Sequence, residues 1–193
     1  MHYYVKDFLD PICLQEALDR LPAWRREQAL RFKHTEGQME CAFSYLLLCE
    51  ALQREYGISE QPHFLIGEHG KPTLLEFPHV HFNMSHCKAG IAVAVSDAPV
   101  GIDIECIGRG NDAVARYFMS DAEYACYAQA EHPDLVFAEL WTRKEAVVKL
   151  TGRGIDDNLK QLLSLSNHVE LVTRMEIEKG YAVSIAQYKD CGK

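Results

Sequence analysis

Asp103, Glu105, Glu145 and Lys149 are the residues of this chain whose types and spacing point most directly to chemistry. In Val100-Gly101-Ile102-Asp103-Ile104-Glu105-Cys106-Ile107 the alternation is clean: Ile102, Ile104 and Cys106 face one way, Asp103 and Glu105 the other. Residues two apart in a strand project the same way, about 7 Å apart, which is close enough for both carboxylates to serve one cation. Small, hard Mg²⁺ favours one or a few carboxylates and completes its octahedron with water and phosphate oxygens. A strand with an acidic, solvated face is the plain alternative. Further on, Trp141-Thr142-Arg143-Lys144-Glu145-Ala146-Val147-Val148-Lys149-Leu150-Thr151-Gly152-Arg153-Gly154-Ile155 reads as a helix ending at a Gly pair suited to a left-handed cap. At about 100° per residue, Phe137, Leu140, Trp141, Val147 and Val148 fall on one apolar arc. Lys144 lies inside that arc, and Glu145 and Lys149 border it one turn apart. Charges aimed at a buried side need a partner, and a cleft holding a metal and phosphates supplies one.

Weaker signals surround these. His79-Val80-His81-Phe82-Asn83-Met84-Ser85-His86 ends a strand in a polar cluster, where Ser85, the turn amides and protonated His86 can donate to phosphate. His79 and His81 would share a strand face, so zinc is an alternative, but no HxHxD or HExxH spacing supplies the remaining ligands. Gly70-Lys71-Pro72 is a turn with a cation at its apex. Arg25, Arg26, Arg31, Lys33 and His34 form a basic run that is either a solvated face or a phosphate contact. Cys87 beside His86 lacks an orienting acid, which argues against thiol catalysis.

The elements that must position these residues follow from patterning. The first half reads as a strand at 2–8, helices at 14–20 and 23–32, and a helix from Thr35 ended by Tyr56-Gly57. Strands follow at 64–66, 72–75, 80–84 and 91–95, the last two joined by Cys87-Lys88-Ala89-Gly90. Asp97-Ala98-Pro99 is the internal boundary, dividing the chain into lobes of residues 1–98 and 99–193. Beyond it come the acidic strand, helices at 112–118, 121–130 and 134–150, and a closing hairpin of 169–175 with 181–187. Ser120 with Glu123 fits a capping box. Each half is helices plus antiparallel strands, an α+β fold of two similar lobes.

Bulk properties narrow the class. At 193 residues, 48% hydrophobic and 25% charged, the composition is that of a globular protein. No apolar run approaches the ~20 residues that span a bilayer, and the N-terminus lacks a secretory pattern, so no membrane role is expected. Seven cysteines without a CxxC pair fit reduced thiols in the cytoplasm. A net charge of −8 excludes broad nucleic-acid binding.

In chain order, Gly70-Lys71-Pro72, Phe82-Asn83-Met84-Ser85-His86, Gly101-Ile102-Asp103-Ile104-Glu105 and Trp141-Thr142-Arg143-Lys144-Glu145-Ala146 with Lys149 resemble the 4′-phosphopantetheinyl transferase superfamily. The match is to its long, two-lobed type, which activates peptide and polyketide synthetases, and it is closest over residues 70–155. The resemblance implies Mg²⁺-dependent transfer (Mn²⁺ being an alternative) of the phosphopantetheine arm of coenzyme A to a serine of an apo acyl or peptidyl carrier protein. The other product is 3′,5′-ADP. It also implies roles. Asp103, Glu105 and Glu145 would hold the metal, with Glu145, or a water it orients, also the base for the carrier serine. Lys149 and Lys144 would meet the phosphates. Gly70, Lys71 and Pro72 would line the adenine and ribose-phosphate end, Ser85 and His86 would bind phosphates, with His86 matching the 3′-phosphate contact, and Arg25 would fill the first basic place for the 3′-phosphate. Tyr117, Phe118 and Met119 would touch the carrier. Acid strand and helix would face each other across the lobe boundary, and two lobes in one chain would make a monomer sufficient.

One departure stands out: Gln28 and Glu40 occupy places where further basic residues are expected for the 3′-phosphate. The alternative readings are a non-catalytic coenzyme A or carrier-binding module on the same fold, and a metal hydrolase built on His79 and His81.

Overall fold

The two long helices are rich in alanine, leucine and glutamate, good helix formers, and two of the central strands are built largely of valine, isoleucine and small residues. The computed structural model describes residues 1–7, 13–67, 70–152 and 158–189. In chain order the elements are β1 (His2–Asp7), α1 (Leu14–Arg20), α2 (Ala23–Leu30), α3 (Thr35–Tyr56), β2 (Phe64–Ile66), β3 (Pro72–Leu74), β4 (His81–Cys87), β5 (Gly90–Ser96) and β6 (Val100–Cys106). There follow α4 (Asp112–Phe118), α5 (Asp121–Gln129), α6 (Pro133–Thr151), α7 (Leu162–Leu165), β7 (Val169–Glu176) and β8 (Tyr181–Tyr188).

The two long helices end alike. Gly57 and Gly152 take φ of 67° and 68°, the left-handed conformation that closes a helix C-terminus and that a Cβ disfavours. Gly154, the second glycine of the expected pair, lies outside the described residues. The helix starts use other devices. Asn111 Oδ1 accepts from Ala113 and Val114 at α4, Ser120 and Glu123 form the expected capping box at α5, and Pro133 sits in the first turn of α6.

The strands pair as two antiparallel three-stranded sheets, β1-β5-β4 and β6-β8-β7, with a separate β2-β3 hairpin. Helix α3 covers the first sheet and α6 the second, while β4 and β5 pack against β6. The result is a helix–sheet–sheet–helix stack. β5 is buried on both faces for that reason: Ile91, Val93 and Val95 join the α3 core, and Ala92 and Ala94 face Ile102, Ile104, Val183 and Ile185 across the sheets. The small alanines let the two sheets approach closely.

Parity then decides where the acids point. Val100, Ile102 and Ile104 go into the inter-sheet core, so Gly101, Asp103 and Glu105 face α6. A Cβ on Gly101 would lie 2.0 Å from Ala146 O and 2.4 Å from Leu150 N, so strand and helix touch backbone to backbone there. That contact corrects one expectation. The acid strand and its helix face each other inside the C-terminal half, because glycine brings β6 directly under α6. Across the boundary come side chains of the first half: Asn83, Ser85 and Lys71. A second correction concerns His79, which sits in an exposed turn before β4 and shares no strand face with His81.

Candidate active site

Three elements supply the site, each set by a local feature. β6 offers Asp103 on its helix-facing side. α6 offers Glu145 and Lys149, four residues and so one turn apart. β4 is held in register alongside β6 because Asn83 Oδ1 accepts from the Ile102 amide at 2.9 Å, and this places Ser85 opposite Asp103. There, Ser85 Oγ donates to Asp103 Oδ1 at 2.8 Å, and Lys149 Nζ donates to both Asp103 Oδ1 at 2.7 Å and Ser85 Oγ at 2.8 Å.

Ser85, His86, Asp103, Glu105, Glu145 and Lys149 line one cleft of about 340 Å³, with Trp141 at its wall. Asp103 is 5% exposed. Burial raises its pKa above the usual carboxylate range, and Lys149 and Ser85 pull it back by attraction and hydrogen bonding. Glu145 is also raised, first by burial, then by the nearby charge of Asp103, with Lys149 opposing and Glu105 adding. Glu105 itself is tied to Arg109 at 2.8 Å, a partner that the patterning did not single out.

Among the described residues no three His, Cys, Asp or Glu side chains stand together as a formed metal-ligand set. The donor chemistry still suits a hard divalent ion. Asp103 Oδ2 is buried and finds no hydrogen-bond donor, and Glu145 feels the charge of both strand acids in the same cleft. Hard cations take carboxylate oxygens of this kind, and Asp103 Oδ2 is an open acceptor.

Three lysines expected at phosphates have three different fates. Lys149 is in the cleft. Lys71 has its ammonium on backbone, donating to Val100 O at 3.1 Å, Lys149 O at 2.7 Å and Leu150 O at 3.2 Å. It thereby satisfies carbonyls of the last turn of α6, where the helix dipole is negative, and burial lowers its pKa. Lys71 still lines, with Gly70, Pro72, Asn83, Lys149 and Gly152, a second pocket of about 240 Å³. Lys144 is the correction: it is 1% exposed and donates to Phe118 O at 2.8 Å and Glu123 Oε2 at 2.7 Å. Its ammonium is sealed between α4, α5 and α6 and has no access to a phosphate.

The other expected residues divide similarly. Arg25 is 7% exposed and lines a third pocket, of about 280 Å³, together with Gln28, Glu40, Ser44, Met84 and His86. Phe118 and Met119 are fully buried core residues, and Tyr117 alone of that trio is exposed. Cys87 is buried in the inter-sheet core, where desolvation pushes its thiol up to about 12, far from a nucleophile at neutral pH. Asn83, which is not among the expected site residues, fixes β4 against β6 through its bond from the Ile102 amide and lines the second pocket.

The profile of the 4′-phosphopantetheinyl transferase superfamily matches residues 99–189, which is the half carrying β6 and α6. A 4′-phosphopantetheinyl transferase of Bacillus subtilis is 35% identical over 77% of this chain and 69% of its own length. The 4′-phosphopantetheinyl transferase psf-1 of Bacillus pumilus is 37% identical over 70% of this chain and 59% of its own. The 4′-phosphopantetheinyl transferase Sfp of Bacillus subtilis strain 168 is 25% identical over 92% of this chain and 88% of its own. An α+β fold of paired helix-on-sheet halves, a carboxylate–lysine cleft between β6 and α6, and this similarity agree: the chain belongs to the 4′-phosphopantetheinyl transferase superfamily and is an enzyme of the transferase class.

Proposed function

We propose that this enzyme moves the 4′-phosphopantetheine arm of coenzyme A onto a serine hydroxyl of an apo acyl or peptidyl carrier protein, with Mg²⁺ or Mn²⁺ as the metal. The observation that carries the reading is the meeting of Ser85, Asp103, Glu145 and Lys149 in one cleft. Phosphoryl-group transfer is mostly positioning and charge stabilisation, and this cleft offers an acid pair, a cation and a hydroxyl donor.

In the proposed reaction the coenzyme's diphosphate lies over Ser85 and Lys149. Glu145, partly buried and raised in pKa, takes the proton of the carrier serine. The serine oxygen bonds to the phosphorus next to the pantetheine arm. The bond from that phosphorus to the bridging oxygen breaks, and 3′,5′-ADP leaves with the electron pair. Lys149, already held against Asp103 and Ser85, offsets charge on the departing phosphate. Asp103, Glu105 and Glu145 would hold the divalent ion, whose chemistry is to neutralise the diphosphate and polarise the bond that breaks. Ser85 and His86 bind phosphate, and Gly70, Lys71 and Pro72 line the adenine end with backbone and stem atoms. The lobes divide at residues 98 and 99. No helix is long and apolar enough to cross a membrane among the described residues; a monomer acting in the cytoplasm is part of the proposal.

The test is to mix the full chain with coenzyme A, Mg²⁺ and a panel of apo carrier proteins and to weigh the carriers. A gain of one phosphopantetheine arm on the carrier serine, lost with chelator, is the expected result. Tight coenzyme binding with no transfer to any carrier would favour the non-catalytic module.

A further inference from the structure

The pocket beside the acid cleft carries a carboxylate, Glu40, as well as the guanidinium of Arg25. It shares Met84 and His86 with the cleft, so a ligand whose diphosphate lies over Ser85 and Lys149 reaches it directly. Coenzyme A carries one anionic group besides that diphosphate, the 3′-phosphate on its ribose.

The lining charges of this pocket cancel. Arg25 is its cation, but its guanidinium is committed: Nη1 donates to Gln28 Oε1 at 2.8 Å, Nη2 to Cys41 O at 2.9 Å, and the group stacks 5.5 Å from both the Tyr45 and Phe64 rings. Both terminal nitrogens, which would clamp phosphate oxygens, are engaged by Gln28 and backbone, while the buried Nε has no hydrogen-bond partner. Glu40 is the anion. Its Oε2 lies 3.4 Å from His86 Nδ1, so that edge of the imidazole faces a carboxylate of the protein itself. Ser44 Oγ, buried and without a partner, adds a neutral donor and acceptor.

A carboxylate beside a ribose accepts a hydrogen bond from a hydroxyl and repels a phosphate, which is how dinucleotide sites distinguish a free ribose hydroxyl from a phosphorylated one. Glu40, Ser44 and the Gln28 amide are hydroxyl-reading groups. We propose that Glu40 sets coenzyme selectivity, so that this enzyme takes 3′-dephospho-coenzyme A on terms comparable with coenzyme A. The inference rests on the proposed function above, since it assumes that the diphosphate occupies the acid cleft.

The test titrates the full chain calorimetrically, in Mg²⁺ buffer, with coenzyme A and with 3′-dephospho-coenzyme A, and measures both KM values by carrier mass gain. The expected result is similar Kd and KM values for the two coenzymes. Glu40→Gln should move the ratio toward coenzyme A by about tenfold, the size of one screened charge repulsion. A wild-type preference for coenzyme A of about a hundredfold or more, as charge-assisted phosphate contacts produce, overturns the proposal. So does a ratio that Glu40→Gln leaves unchanged in a variant with a native circular dichroism spectrum. Should neither coenzyme be transferred to any carrier, the proposed function fails while the ratio of Kd values still decides the role of Glu40; binding of neither coenzyme sinks both.

Discussion

The α3 lobe and the α6 lobe share a plan, a long helix laid across a three-stranded antiparallel sheet, yet the two helices bring different side chains to their sheets. Buried α3 residues are almost all apolar: Ala42, Tyr45, Leu48, Ala51 and Leu52 are fully enclosed. Buried α6 residues include Thr142 and Lys144, and Glu145 and Lys149 sit at the margin. Three of these polar groups in α6 have their own neighbours. Thr142 meets Ser184 at 2.8 Å, Lys144 meets Glu123, and Lys149 meets Asp103. The α3 lobe is held mainly by burial, worth about 25 cal/mol for each Å² of apolar surface removed from water. In the α6 lobe, burial also costs desolvation, which only well-made pairs offset. The contrast teaches that one architecture serves as scaffold in one half and as a charged workbench in the other.

The largest effect that sharpens this contrast is on chemistry. Glu145→Gln keeps shape and removes the base, so transfer should fall by about 10²–10⁴-fold while helix content stays native. Wild-type rates in that variant would remove Glu145 from the mechanism. Next is the contact that brings strand to helix. Gly101→Ala drives a methyl into the α6 backbone and should cost about 1–3 kcal/mol, read as a lower thermal midpoint, together with lost transfer. An unchanged midpoint would mean that β6 and α6 are not in contact.

A paired substitution separates scaffold from workbench within α6 itself. Lys144→Met should lower stability by about 3 kcal/mol, because Glu123 loses its cation and Phe118 O its lysine donor, yet leave the KM for coenzyme A near wild type. Lys149→Met should do the reverse, stopping transfer with a smaller change in the midpoint. Equal effects on KM would show that Lys144 reaches the substrate after all. The smallest expected effect lies at the edge of the α3 lobe: Gln28→Lys adds a cation beside Arg25 and should lower the KM for coenzyme A severalfold, measured against the wild type in the same mass assay.

Much of this was legible without coordinates. The alternation at 100–107 announced which face of β6 carried Asp103 and Glu105, and the helix ending at Gly152 set Glu145 and Lys149 one turn apart. Local patterns have local causes, so the capping box at Ser120 and the closing hairpin could be read too. The short helix α7, by contrast, has no cap signal at its start and went unread.

The fates of like residues could not be read from sequence. Lys71, Lys144 and Lys149 carry the same side chain, and their surroundings come from segments far apart in the chain: Lys71 reaches α6 across 78 residues, Lys149 reaches Ser85 across 64, and Lys144 reaches Glu123 across 21. A side chain's role as clamp, core pair or cleft cation depends on which partner lies within about 3 Å, and that distance is set by packing. The sequence alone determined the acid spacing on β6, the helix period on α6 and the division into helix-plus-strand halves, since these follow from backbone geometry within a few residues. Only the tertiary structure decided that Gly101 lets α6 settle onto β6, that Asn83 aligns Ser85 with Asp103, and that Glu40 faces His86, because each depends on long-range packing of segments that no local rule joins.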